Sequence, residues 1–246
     1  MRAPATPDGY VAFLCGGARA VARADVVDAV QNALGSMTLH EHACRRADRV
    51  LHGRAPAFAF ALRDDVRVVV RHNTHGGALA RFTGDRFLAP TRAPLELATS
   101  LRLIAAGVPT PAVVAIVRYP AGGPFERADV ATAEVPSAMD LAHVLVQEPT
   151  LHEQAARATA ELLRALAAAG ARHADLNIKN VLLQPVGDSL RAWVLDVDRV
   201  TFHTAGSTEV RLRNWARFTR SARKWRDRFG APISEAWLQS IAASRR

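Results

Sequence analysis

His173-Ala174-Asp175-Leu176-Asn177-Ile178-Lys179-Asn180 is followed, after two short apolar runs, by Asp196-Val197-Asp198. The first stretch has the form H-x-D-x-x-x-x-N, and Asp196 closes the run Trp193-Val194-Leu195. Phosphoryl transfer from ATP needs such a set. One carboxylate must meet the acceptor hydroxyl, and an Asn amide with a second carboxylate must hold magnesium on the phosphates. Asp175 fits the first role, and Asn180 and Asp196 fit the second. Val181-Leu182-Leu183 and Trp193-Val194-Leu195, with Gly187-Asp188 between them, predict a hairpin. The two ends of a hairpin lie side by side, which would bring Asn180 and Asp196 to one ion. An Asp before an apolar run is by itself most often a cap or turn residue. The spacing, the hairpin and the terminal Asp together carry the phosphoryl-transfer reading.

Just upstream, Thr150-x-x-Glu153 has the form of a capping box. Leu151, Ala155, Ala158, Leu162, Leu163, Leu166 and Ala169 recur at helical spacing, and Gly170 ends the helix. This helix delivers the chain to His173, which reads as a hydrogen-bonded brace for the loop and not as a proton carrier. Further upstream, Thr132 to Glu134 ends a strand, and Val135-Pro136 follows. Proline cannot continue a central ladder, so the lobe boundary falls here: an N-lobe over 1–136 and a C-lobe over 137–246. The backbone from Glu134 to Pro136 is the candidate hinge that reads adenine.

The N-terminal half supplies candidates for the phosphates. Alternating Phe58, Phe60 and Leu62, the turn Arg63-Asp64-Asp65, and Val66 to Arg71 predict two strands. Arg71 ends the second strand in a cation able to grip α- and β-phosphates; the plain alternative is an exposed strand-end Arg. Gly53, before the first of these strands, permits backbone N–H groups to approach phosphates closely. Pro94 to Ala106 reads as a helix with Leu97, Leu101 and Ile104 on one face, stopped by Gly107 and Pro109. Glu96 in its first turns is placed to pair with Arg71, although the helix dipole alone also favours Glu there. Residues 72–88, with two histidines, Gly76-Gly77, Arg81 and Arg86, form a loop suited to an anionic acceptor or simply to solvent. Two more strands are expected over Val113–Arg118 and Arg127–Glu134. Residues 1–50 say least: a strand at Tyr10–Leu14, a helix over Val26–Leu34, and surface histidines at 40 and 42.

The chain has 246 residues, 49% of them hydrophobic, enough for one bilobal unit with a sizeable core. Its formal charge of +9 points to an anionic partner, unless Arg-rich composition is only coding bias. Arg211 to Arg228 carries eight basic residues among Leu212, Trp215, Phe218 and Trp225. That pattern suits a core-packing helix or a basic amphipathic surface that meets anionic lipid. No nucleic-acid module signature is present, so nucleic acid is not the expected partner. Two cysteines in no ligand spacing, no signal-peptide pattern and no bilayer-length apolar run lead to the expectation of a cytoplasmic protein.

Several segments together resemble the Kdo (3-deoxy-D-manno-octulosonic acid) kinases of the lipopolysaccharide kinase family. They are Arg71-His72, Gly76-Gly77, Gly84-Asp85-Arg86-Phe87-Leu88, Pro94-x-Glu96, Arg127-Ala128-Asp129, the His173–Asn180 stretch, Leu195-Asp196-x-Asp198-Arg199 and Asn214-x-x-Arg217-x-x-Arg220-Ser221. The likeness runs from about residue 50 to the C-terminus. It implies an α+β, protein-kinase-like bilobal fold with a β-rich N-lobe and a mainly helical C-lobe. It implies ATP and Mg²⁺, and phosphorylation of the 4-hydroxyl of Kdo on lipid A precursor at the cytoplasmic face of the inner membrane. It assigns Asp175 as the base, Asn180 and Asp196 to magnesium, Arg71 to the phosphates and Glu96 to the positioning of Arg71. The loop at Gly53 has one glycine where a second is expected, and Val197 stands where an aromatic is common. Other readings are a kinase of this fold acting on heptose or another alcohol, and a non-catalytic membrane-associated pseudokinase.

Overall fold

The computed structural model describes residues 5–52, 55–74, 85–89 and 91–244. The chain forms two compact units, Met1–Ala98 with Ala112–Glu134, and Thr99–Pro111 with Val135–Arg246.

The first unit is built on an antiparallel sheet. Its strands are β1 (Tyr10–Cys15), β2 (Ala18–Arg23), β3 (Arg49–Leu51), β4 (Ala57–Arg63), β5 (Val66–His72), β6 (Phe87–Leu88), β7 (Val113–Pro120) and β8 (Phe125–Ala133). The order is β1-β2-β7-β8-β5-β4-β3, and β6 also pairs with β8. Cys15 pairs with Ala18 across Gly16-Gly17, both at positive φ (54° and 83°). A two-residue hairpin of this hand needs left-handed backbone at both central positions, which glycine adopts without cost. On β5 the alternation is complete: Val66, Val68 and Val70 are buried, and Arg67 and Arg71 emerge on the other face. The buried side meets Phe58 and Phe60 of β4, the alanines of β2, and two helices, α1 (Val27–Ala33) and α2 (Leu39–Arg46).

The helix α2 is not foreseen from the sequence. Thr38 and Glu41 form a reciprocal capping box at its start. His40 and His42, expected on the surface, lie half-buried against the rings of Phe58 and Phe60. The helix α3 (Ala93–Ala105) contributes residues to both units, and it buries Glu96, Leu97, Ser100 and Leu103. Ile104, expected on that face, is 42% exposed. The face follows the spacing of Leu97, Ser100 and Leu103, a narrower polar-tolerant stripe than the leucine pattern alone suggests.

The second unit is mainly helical. Its elements are β9 (Met139–Asp140), α4 (Leu141–Gln147), α5 (His152–Ala168), β10 (Ala171–His173), β11 (Val181–Val186), β12 (Ser189–Val194), β13 (Val200–Phe202), α6 (Thr208–Phe229) and α7 (Glu235–Ser244). Leu162 and Leu166 of α5, Phe218 and Ala222 of α6, and Trp237 and Ile241 of α7 share one core with Leu176 and Ile178 of the loop after β10. The expected capping box at Thr150 does not form. Pro149 opens a 3₁₀ turn over Pro149–Leu151, so Thr150 lies inside that turn and α5 starts without a side-chain cap. Among the described residues no helix is long and apolar enough to cross a membrane.

Candidate active site

In the second unit, β10 ends at His173, and the chain turns through Asp175 and a 3₁₀ turn at Ile178–Asn180 into β11. The backbone of this loop is held by a set of fixed partners. His173 is buried; its Nδ1 accepts the Asp175 N–H at 3.1 Å, and its Nε2 faces Leu195 O at 2.9 Å. Because Nδ1 accepts from a backbone N–H, Nε2 carries the proton. Burial holds the imidazole below its ordinary pKa, so it stays neutral. His173 therefore braces the loop, as its sequence context predicts. The Asp175 carbonyl accepts from Asn177 Nδ2 at 3.1 Å and from Asn180 Nδ2 at 2.9 Å. Asn177 Oδ1 accepts the N–H groups of Lys179 and Asn180 at 2.9 and 3.2 Å. Asn177, which no sequence pattern singled out, is thus the staple of the turn.

The consequence for Asn180 is directional. Its Nδ2 is engaged by Asp175 O, which leaves Oδ1 as the available acceptor. The hairpin β11–β12 forms with Val181 opposite Val194, and Leu195 N–H donates to Asn180 O at 2.9 Å. That bond sets Asn180 beside the strand end leading to Asp196. Asp196 stands in left-handed backbone (φ 54°, ψ 51°), a costly conformation for a residue with a side chain and one that concentrates at functional sites. An amide oxygen and a carboxylate are hard oxygen donors of the kind that hold magnesium together with substrate phosphates. The carboxylate of Asp175 is 37% exposed, and its Oδ1 is bonded by Arg217 Nη2 of α6. Sequence reasoning gave Arg217 no role.

In the first unit, Arg71 at the end of β5 bonds Glu96 of α3 through Nη2 and Asn73 Oδ1 through Nη1 at 3.2 Å. Glu96 is buried, while the Arg71 side chain remains 31% exposed. The neighbouring His72 lies between two carboxylates, Asp129 Oδ1 at 2.6 Å and Asp85 Oδ2 at 3.1 Å. Asp129 is fully buried in β8 and also accepts from Tyr119 OH and His40 N–H, each at 2.9 Å. The bond to Asp129 raises the His72 pKa, and a doubly bonded imidazolium donates to both acids. The signal for this cluster was a lone Asp in the apolar strand Phe125–Ala133.

Glu134 is differently engaged from what a hinge reading expects. Its carboxylate takes Arg49 at 2.5 Å and Arg67 at 2.6 Å, and its N–H donates to Arg67 O at 3.0 Å. Arg67 also bonds Asp48 at 2.7 Å. Gly53, and residues 75–84 of the expected acceptor loop, lie outside the described residues.

The model of the lipopolysaccharide kinase (Kdo/WaaP) family matches residues 50–238. A 3-deoxy-D-manno-octulosonic acid kinase of Vibrio parahaemolyticus is 29% identical over 189 residues, covering 72% of this chain and 76% of its own. One from Actinobacillus succinogenes is 32% identical over 176 residues, covering 69% and 71%. A solved structure of WaaP in complex with acyl carrier protein superposes with a TM-score of 0.53 at 18% identity, over 87% of this chain and 85% of that one. The likeness to WaaP shows an α+β, kinase-like fold, and the family match over most of the length shows that this chain belongs to the lipopolysaccharide kinase (Kdo/WaaP) family.

Proposed function

We propose that the protein is an ATP-dependent kinase that phosphorylates the 4-hydroxyl of a Kdo sugar on lipid A precursor. The observation that supports this best is the loop geometry around Asp175, a solvent-reachable carboxylate on a backbone held by His173, Asn177 and Asn180. Asp175 accepts the proton of the sugar hydroxyl as that oxygen bonds to the γ-phosphorus and the terminal phosphoryl leaves ADP. Arg71 presents its guanidinium to the α- and β-phosphates, and the buried Glu96 fixes that guanidinium.

Asn180 and Asp196 hold magnesium. When bound, it supplies neutralisation of the charge on the phosphate oxygens. The segment Glu134 to Pro136 reads adenine. Since the Glu134 N–H is engaged in the sheet, the carbonyl of that residue is the group it offers.

The exposed basic face of α6, with Arg220, Lys224 and Arg228, meets the anionic surface of the inner membrane from the cytoplasmic side. An anionic glycolipid acceptor suits a chain of net charge +9.

The test is transfer of label from γ-labelled ATP with Mg²⁺ to Kdo-bearing lipid A precursor, beside the same lipid without Kdo. Label on the Kdo-bearing lipid alone is expected, at the 4-hydroxyl by NMR of the product. Label on a heptose acceptor instead would transfer the reading to a neutral sugar. ATP binding with transfer to no acceptor would leave a pseudokinase.

A further inference from the structure

The helix α6 is docked on the catalytic loop by three side chains of one face. Asn214 accepts the His173 N–H at 3.0 Å and donates to Ala171 O at 2.9 Å. Ser221 accepts the Ile178 N–H at 3.4 Å. Both are buried and both hold backbone. Between them, three residues from one and four from the other, Arg217 reaches the carboxylate of Asp175. This middle contact is open to solvent, with the side chains of Arg217 and Asp175 29% and 37% exposed. The guanidinium is therefore delivered to the carboxylate by buried anchors on either side. An ion pair at that exposure adds little stability, so stability does not account for its placement. Arg220 and Lys224 follow on the exposed side of the helix, bordering an open depression with Ala216, and pair with no carboxylate among the described residues.

We propose that Arg217 is the residue that recognises the acceptor as an acid: its guanidinium takes the carboxylate of the incoming sugar and releases Asp175 to the sugar hydroxyl. This rests on the Kdo reading and names what selects that acceptor. A guanidinium that holds a carboxylate in the resting protein exchanges it for another of the same planar, two-oxygen shape. In Kdo a single ring carbon separates the carbon bearing the carboxylate from the carbon bearing the 4-hydroxyl. A base and a guanidinium that touch each other can therefore meet both groups of one sugar. A neutral sugar offers nothing to Arg217 and leaves it on Asp175 Oδ1. Only hydrogen bonds change in this exchange, and the hydroxyl proton passes to Asp175 as before.

The test uses two acceptors, Kdo-bearing lipid A precursor and the methyl ester of its Kdo carboxylate, with the wild-type protein, Arg217→Lys and Arg217→Gln. For the wild type, esterification should lower kcat/KM on the order of 30-fold or more. In Arg217→Gln the two acceptors should differ by less than about threefold, and Arg217→Lys should keep part of the preference. The ratio is taken within one preparation, so loss of folded protein cancels. Equilibrium binding of the two acceptors without nucleotide gives the same ratio for a variant too slow to assay. A wild-type preference that persists undiminished in Arg217→Gln overturns the assignment, as does a wild type that takes both acceptors equally. A wild type that labels no Kdo acceptor brings down the Kdo reading itself and this inference with it, a result distinct from the other two.

Discussion

Asp175 and Asp196 differ in what surrounds them, and their substitutions should separate accordingly. Asp175 is fixed through its backbone, so Asp175→Ala removes the carboxylate and leaves the loop standing. Turnover should fall by about 10³-fold while nucleotide affinity stays within about twofold, measured by label transfer beside nucleotide titration. A variant with near-normal turnover would take the base role from Asp175. Asp196→Ala should instead abolish the magnesium dependence of nucleotide binding; equal nucleotide affinity with and without its carboxylate, magnesium present, would rule out the ligand role. The loop that carries Asp175 and Asn180 and the hairpin that leads on to Asp196 were legible in the sequence because they are local. Arg217 and Asp129 were not, because they lie 42 and 57 residues from the side chains they bond. An Arg in a basic helix and an Asp in an apolar strand acquire their partners only when the chain has folded.

Elements were readable where the apolar period was strong. The alternation of β5 and the stripe of α5 come through in the structure, while in β4 Ala59 is buried between Phe58 and Phe60. Capping was misread in both directions: the box expected at Thr150 is displaced by a 3₁₀ turn, while the box at Thr38 starts a helix too polar to show a stripe. The end of α5 is a firmer case. Gly170 has φ 65°, and a Cβ there would stand 2.3 Å from the carbonyl oxygen of His203, whose own N–H donates to Gly170 O at 2.9 Å. Backbone cannot withdraw as a flexible side chain can. Gly170→Ala should therefore destabilise by about 3 kcal/mol, lowering Tm by roughly 6–12 °C in a thermal melt. An unchanged Tm would mean that the turn between α5 and β10 can relax.

At the scale of the whole molecule, two histidines, the half-buried His72 in one unit and the buried His173 in the other, make stability depend on pH with opposite signs. His72 is raised from 6.5 by Asp129, so its contribution is complete below that value and is lost as pH climbs through the higher folded value. His173 is lowered from 6.5 by burial, so the protein loses stability as pH falls below 6.5 and the unfolded chain takes up the proton first. The Tm gap between wild type and His72→Gln should accordingly narrow as pH rises above 6.5. A gap that widens over that range would reverse the sign assigned to the Asp129 bond. Charge also marks how this chain will answer covalent reagents. The sequence contains two lysines, Lys179 and Lys224, and the cation paired to Glu96 is an arginine. If Arg71 grips the phosphates as proposed, acyl-phosphate nucleotide probes, which acylate an amine, find none there. Peptide mapping after such labelling should return no acylated lysine from β5, so a silent probe in a proteome-wide survey would be the expected behaviour of a working enzyme.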